Sequence, residues 1–160
     1  MQIQQILDDG TANPIIARLS IQTKDLLPFY NLAEDQRQEV FGLMFSDIQP
    51  KLLACSRICK ELAKEITDHQ KPIDEVGIEL QAGGKAYKIP AIFDLRSRAE
   101  TFLYQAKSVL RDLTKLFLIL FGKDFNNTAR FDLVVEWAEA EFGEDNELTK
   151  MLKTDDYWSK

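Results

Sequence analysis

Residues 41–66, FGLMFSDIQPKLLACSRICKELAKEI, decide the fold of this chain. Phe41, Phe45, Ile48, Leu52, Cys55, Cys59, Leu62 and Ile66 recur there at alternating steps of four and three. That spacing gathers them on one face of a helix. Residues 99–120, AETFLYQAKSVLRDLTKLFLIL, repeat the pattern with Ala99, Phe102, Ala106, Val109, Leu113, Leu116 and Leu120. Two apolar seams of this length predict two long helices packed lengthwise. The expected fold is mainly α, an up-and-down helical bundle built on two long antiparallel helices with a β-hairpin inserted between them.

Working outward, the first long helix is expected over 31–68. Asn31 stands as its N-cap, with Glu34 three residues on in the position of a capping box. Pro50 falls inside it and removes one backbone hydrogen bond, so a kink is expected there while the seam stays in phase. Upstream, residues 1–30 read as an irregular lead-in of one or two short helices interrupted by Pro14 and Pro28.

After His69 the period changes. Val76, Ile78 and Leu80 alternate with polar or small neighbours, Gly83 and Gly84 offer a tight turn, and Tyr87 and Ile89 alternate on the return. This predicts a hairpin over 75–90, which needs the helices or a partner strand for stability. The second long helix is expected over 94–121, with Gly122 to end it, and further helices over 128–142 and 146–153. Phe131, Val134, Val135, Ala138 and Phe142 share a face of the first of these. Tyr157 and Trp158 so near the carboxyl end predict that the last helix continues or docks onto something.

The 160 residues suit one domain able to bury a core without staples. With 20 basic against 26 acidic residues the net charge is -6, which argues against wholesale coating of nucleic acid and leaves room for a local basic patch. The amino terminus lacks the basic start and apolar run of a secretory signal, and Leu116 to Phe121, the longest apolar run, is far too short to cross a bilayer. A soluble, cytoplasmic protein without membrane contact is the expectation.

Chemistry is sparse. Cys55, Cys59 and His69 do not have the spacing of a four-ligand zinc site, and burial as small apolar residues accounts for the thiols. No metal and no cofactor is expected. His69 is placed at a helix end, against the last carbonyls. Arg96, Lys107, Arg111 and Lys115 lie close together along the second long helix and form a candidate stripe for phosphate or RNA backbone. The plainer reading is a solvated flank with an Arg96–Glu100 pair. The acidic run Glu136, Glu139, Glu141, Glu144, Asp145 and Glu147 reads as a soluble outer face. Gly83 and Gly84 serve a turn, since no Lys-Ser/Thr pair opens a helix after them.

The stretch Arg98-Ala-Glu-Thr-Phe-Leu-Tyr-Gln-Ala-Lys-Ser-Val-Leu-Arg111, with Phe131-Asp-Leu-Val-Val-Glu-Trp137 and Tyr157-Trp158, resembles the helical bundle of HEPN-type proteins over residues 35 to 160. The resemblance implies RNase chemistry by dimers in which an arginine and a histidine lie a few residues apart on a late helix. No arginine precedes His69 at that distance and no histidine follows it, so no catalytic residue carries over.

Two functions follow. The favoured one is a non-catalytic helical interaction or scaffold module that associates with itself or another protein, with Val76, Ile78, Leu80, Tyr87 and Ile89 on the hairpin as candidate partner-binding residues. The alternative is a shortened HEPN-like RNase or toxin-antitoxin component whose catalytic motif is missing from these residues. Without a base, nucleophile or metal cluster, an enzyme assignment would rest on fold analogy alone.

Overall fold

The computed structural model describes residues 14–76, 92–126, 128 and 130–153. The chain forms helix α1 (Pro14–Leu26), a 3-10 turn at Leu27–Phe29, α2 (Glu34–Gly42), a π-helical segment at Leu43–Ile48, α3 (Gln49–Val76), α4 (Leu95–Phe121), α5 (Asp132–Phe142) and α6 (Glu147–Lys153). The structure is mainly helical, and no strand occurs among the described residues.

α3 and α4 run antiparallel. Lys51 meets Asp112, the Cys55 thiol donates to the Phe102 carbonyl at 3.8 Å, and Arg98 reaches Glu61 and Glu65 at 3.2 and 2.6 Å. As one partner advances along the chain, the other retreats. α2 extends the first rod against the far end of α4, where the Gln36 amide donates to the Ile119 carbonyl at 2.9 Å.

The expected start at Asn31 falls two residues early. Ala33 is the N-cap, and its backbone N–H donates to Gln36 Oε1 at 3.0 Å. Alanine offers no acceptor in return, so the glutamine supplies only the returning half of a capping box. Residues 14–29 form a short helix and a 3-10 turn, in line with the one or two short helices expected there, but the prolines do not interrupt them. Pro14 stands at the start of α1, where its missing N–H costs nothing, and Pro28 sits in the 3-10 turn. Gln49 fastens α1 to the rod. Its amide donates to the Ile16 and Ala17 carbonyls at 3.0 and 3.3 Å, and its Oε1 accepts from the buried Ser20 hydroxyl.

Immediately before Pro50, where a kink is expected, the rod carries a π-helical turn. The Gln49 N–H donates to Met44, five residues back, and Leu43 and Ile48 are both buried. In a regular α-helix a separation of five would throw those side chains roughly 140° apart. The wider turn returns both to the core, where they pack with Val109, Leu19, Leu113 and Leu116.

The first rod also outruns its expected end. α3 continues through Pro72 to Val76, so residues 75 and 76 end a helix and do not open a strand. The remainder of the expected hairpin lies outside the described residues. His69 is consequently well inside α3 and does not meet terminal carbonyls.

α4 begins one residue after its expected start and ends where glycine dictates. Gly122 adopts φ 68°, its N–H donates to Leu118 at 2.9 Å, and the Lys123 N–H closes back on Phe117 at 3.2 Å, a Schellman-type stop. α5 starts four residues later than expected because Thr128 is used for docking: the Thr114 hydroxyl donates to its carbonyl at 3.2 Å. Val134 and Ala138 are fully buried, and Phe117, Phe125, Phe131 and Trp137 interlock edge to face at ring separations of 5.8–6.4 Å. α6 is tied on by Thr149, fully buried, whose hydroxyl donates to the Ala138 carbonyl at 3.2 Å.

Candidate interaction surface

The two seams are buried unequally along their length. Near the bundle, Ile48, Cys55 and Val109 are buried, although Phe45 and Leu120 of the same seams stay exposed at its far end. Farther along α3, Cys59 and Ala63 are exposed and Ile66 is 45% exposed; on the matching part of α4, Leu95 is 43% and Leu103 63% exposed. These residues form an arm of two helices that runs past the helices covering the rest of the pair.

Helical geometry explains why they stay open. At about 100° per residue, Cys59, Ala63 and Ile66 share the α3 face of Leu52, which joins Leu19 of α1 against one core cluster; Ala99, Leu103 and Leu110 share the α4 face of Phe117 and Phe121, whose rings meet Trp137 of α5. Because the helices are antiparallel, both faces turn to the same side. A shallow apolar groove results, floored by Cys59, Ala63, Ile66, Ala99, Phe102 and Leu103. Two helices alone have one mutual interface and leave such a groove uncovered.

The candidate phosphate stripe is not gathered into a pocket. Arg96 pairs with Glu100 at 2.8 Å, Arg111 donates to the buried Ser108 hydroxyl at 3.2 Å, and Lys115 binds Asp112 at 2.7 Å, while Lys107 stands exposed. Lys115 thereby belongs to an internal network. Among the hairpin candidates, Val76 is the last residue of α3, and Ile78, Leu80, Tyr87 and Ile89 lie outside the described residues. The acidic run is partly neutralised from within its own end of the chain, since Lys153 pairs with Glu139 and Glu144 and Lys150 lies 3.6 Å from Asp145.

Among the described residues no three His, Cys, Asp or Glu side chains gather as metal ligands, and no helix is long and apolar enough to cross a membrane. Cys55 and Cys59, both free thiols, differ in environment. Cys55 is buried and Cys59 exposed, and burial, reinforced by the neighbouring Cys59, pushes the Cys55 thiol up. Iodoacetamide at pH 8 should therefore modify Cys59 at least tenfold faster than Cys55, as read by peptide mass spectrometry. Equal rates would mean that the α3–α4 contact opens readily at Cys55.

Two features escaped the sequence reading. Asp112 was passed over as one charge among many, although it lies between Val109 and Leu116 in seam register, a position that calls for a compensating cation. Leu103 falls outside the α4 seam and was given no role, and at 63% exposed it is the most open large apolar side chain on the groove floor. No protein-family model, no curated protein and no solved structure matches the chain. The resemblance to HEPN-type bundles accordingly rests on the residues that suggested it.

Proposed function

We propose that this chain is a non-catalytic helical interaction module whose working surface is the α3–α4 arm. One observation carries the reading: Ile66 in the α3 seam and Leu103 beside the α4 seam remain open on adjoining faces of the helical pair, beyond the core cluster of Leu43, Ile48 and Val109. No nucleophile–base pair or ligand cluster competes with it among the described residues. The shape suits a helix laid along a groove, where apolar anchors supply affinity and charged rims supply orientation.

A photo-crosslinking residue at position 103 tests this in cells of the native source, with the same residue at exposed position 38 on α2 as the reference. The module reading expects a covalent adduct with a polypeptide at 103 that is absent at 38. Adducts of equal yield at both positions, or none at 103, would remove the arm as the working surface.

A further inference from the structure

We propose that the groove on the arm receives an amphipathic helix of another protein, one with an apolar stripe and acidic flanks. The inference rests on the arm being a docking surface and adds the chemistry of its occupant. Its ground is the charge on the two rims. On α3 the rim beyond Ala63 carries Lys64 and Lys71; on α4 the rim beyond Leu103 carries Arg96, Lys107 and Arg111. Asp68 pairs with Lys64 at 2.7 Å and also feels the charge of Lys71, Glu100 pairs with Arg96 at 2.8 Å, and Arg111 donates to Ser108 at 3.2 Å, so the rims carry more cations than carboxylates, with Lys71 and Lys107 exposed to solvent. Asp74, near the tip, adds a third carboxylate to Asp68 and Glu100, against the five cations Lys64, Lys71, Arg96, Lys107 and Arg111. The chain as a whole carries -6, so a predominantly basic border around its open apolar groove runs against the general balance.

This border selects among occupants. A second copy docked by a two-fold axis would bring this same patch against itself, one predominantly basic rim facing another, and like charges brought together at an interface rim oppose association. A helix with glutamates on both sides of its apolar stripe meets attraction on both rims. Its leucines would fill the shallow floor between Ile66 and Leu103, whose small neighbours Ala63 and Ala99 permit close approach of a third helix. The pair would then become a three-helix unit, with Cys59 and Ile66 withdrawn from water.

The experiment is fluorescence anisotropy with the full chain and a labelled synthetic peptide of about 18 residues, roughly 27 Å as a helix. The peptide carries leucines at helical spacing and glutamates elsewhere; a second peptide has lysine at every glutamate. The glutamate peptide should bind at least tenfold tighter than the lysine peptide, and its affinity should fall as salt rises. Leu103→Asp, at an exposed position that folding tolerates, should weaken it at least tenfold. Lys71→Glu combined with Lys107→Glu should do the same and abolish the salt dependence, whereas Leu103→Met should bind as the parent does. Unaltered helicity and melting temperature establish that the variants are folded.

Equal binding of both peptides, or indifference to Leu103→Asp, would overturn the proposal. So would a dimer by light scattering that the glutamate peptide fails to dissociate, or displacement of the peptide by poly-uridine RNA or anionic vesicles at lower concentration than by unlabelled peptide. If position 103 crosslinks to a polypeptide in cells while the glutamate peptide shows no preference, the arm remains a docking surface and only the acidic occupant is refuted.

Discussion

Phe117→Ala is expected to remove about 3–5 kcal/mol of stability, the usual loss for deleting a buried phenylalanine side chain. Phe117 is buried and is the ring on which the carboxyl-terminal part of the structure closes. It lies 5.8 Å from both Phe125 and Trp137, 6.1 Å from Phe121 and 6.4 Å from Phe131. The substitution opens a cavity that those rings cannot collapse into without giving up their edge-to-face contacts, each worth about 0.5–1.5 kcal/mol beyond area burial. Since domains of this kind hold about 5–15 kcal/mol in total, a large fraction of the reserve goes with one side chain. Denaturant unfolding followed by tryptophan emission reads it, and Phe117→Leu, which preserves much of the volume, should lose far less. A loss under about 1 kcal/mol for the alanine variant would show that α5 and α6 do not depend on this packing.

Asp112→Ala should cost about 1–3 kcal/mol at pH 7, because it removes a buried acceptor and leaves the partly buried Lys51 ammonium without its carboxylate. The Asp112 carboxylate is 3% exposed and accepts from Lys51 and, at 2.7 Å, from Lys115. Burial pushes this carboxyl up, but the hydrogen bonds and charges of Lys115 and Lys51 outweigh burial and hold it below the usual carboxylate range. The sign of the pH effect follows. A carboxyl with a depressed folded pKa adds stability that is fully present above its unfolded value, about 3.9, and is lost as pH falls through the folded value. The parent and Asp112→Ala should thus differ most at neutral pH and converge toward pH 2. Replacing the buried pair together, Lys51→Met with Asp112→Leu, should recover most of the loss, since well-packed apolar groups substitute for a buried ion pair at little cost. A double variant as unstable as Asp112→Ala would place the defect in packing, not in charge.

The seams were legible because a stripe at steps of three and four has few other uses, and α4 follows its expected limits to within one residue. Burial along the seams was not legible. Phe45, Ile66 and Leu120 obey the same spacing as Ile48 and Val109 and yet are exposed, since burial requires a third helix and the period reports only a face. A short helix was expected in the region of α1, but its limits were obscured by prolines that read as interruptions where they serve as a start and a turn. The α3 boundary failed for a related reason. Alternation from Val76 onward suggested a strand, while the helix continues through Pro72 to Val76, beyond the level at which α4 begins. Of the surface now assigned to docking, the sequence exposed the basic residues of α4, but not the groove they border, because that depends on which side of an antiparallel pair remains uncovered.

A π turn spends one residue more than an α turn for nearly the same advance, so Leu43–Ile48 works as a phase shifter in the first rod. The hydrophobic code on either side of it can be read correctly and still be joined incorrectly by a reader who assumes one uniform pitch. For protein engineering, the two kinds of edit then become unequal. A point substitution within the segment alters local packing, whereas removal of a single residue turns all of α2 by about 100° about the rod and points Gln36 away from the Ile119 carbonyl. The mutual orientation of the rod's two halves is thus encoded in a residue count, independently of which side chains those residues bear.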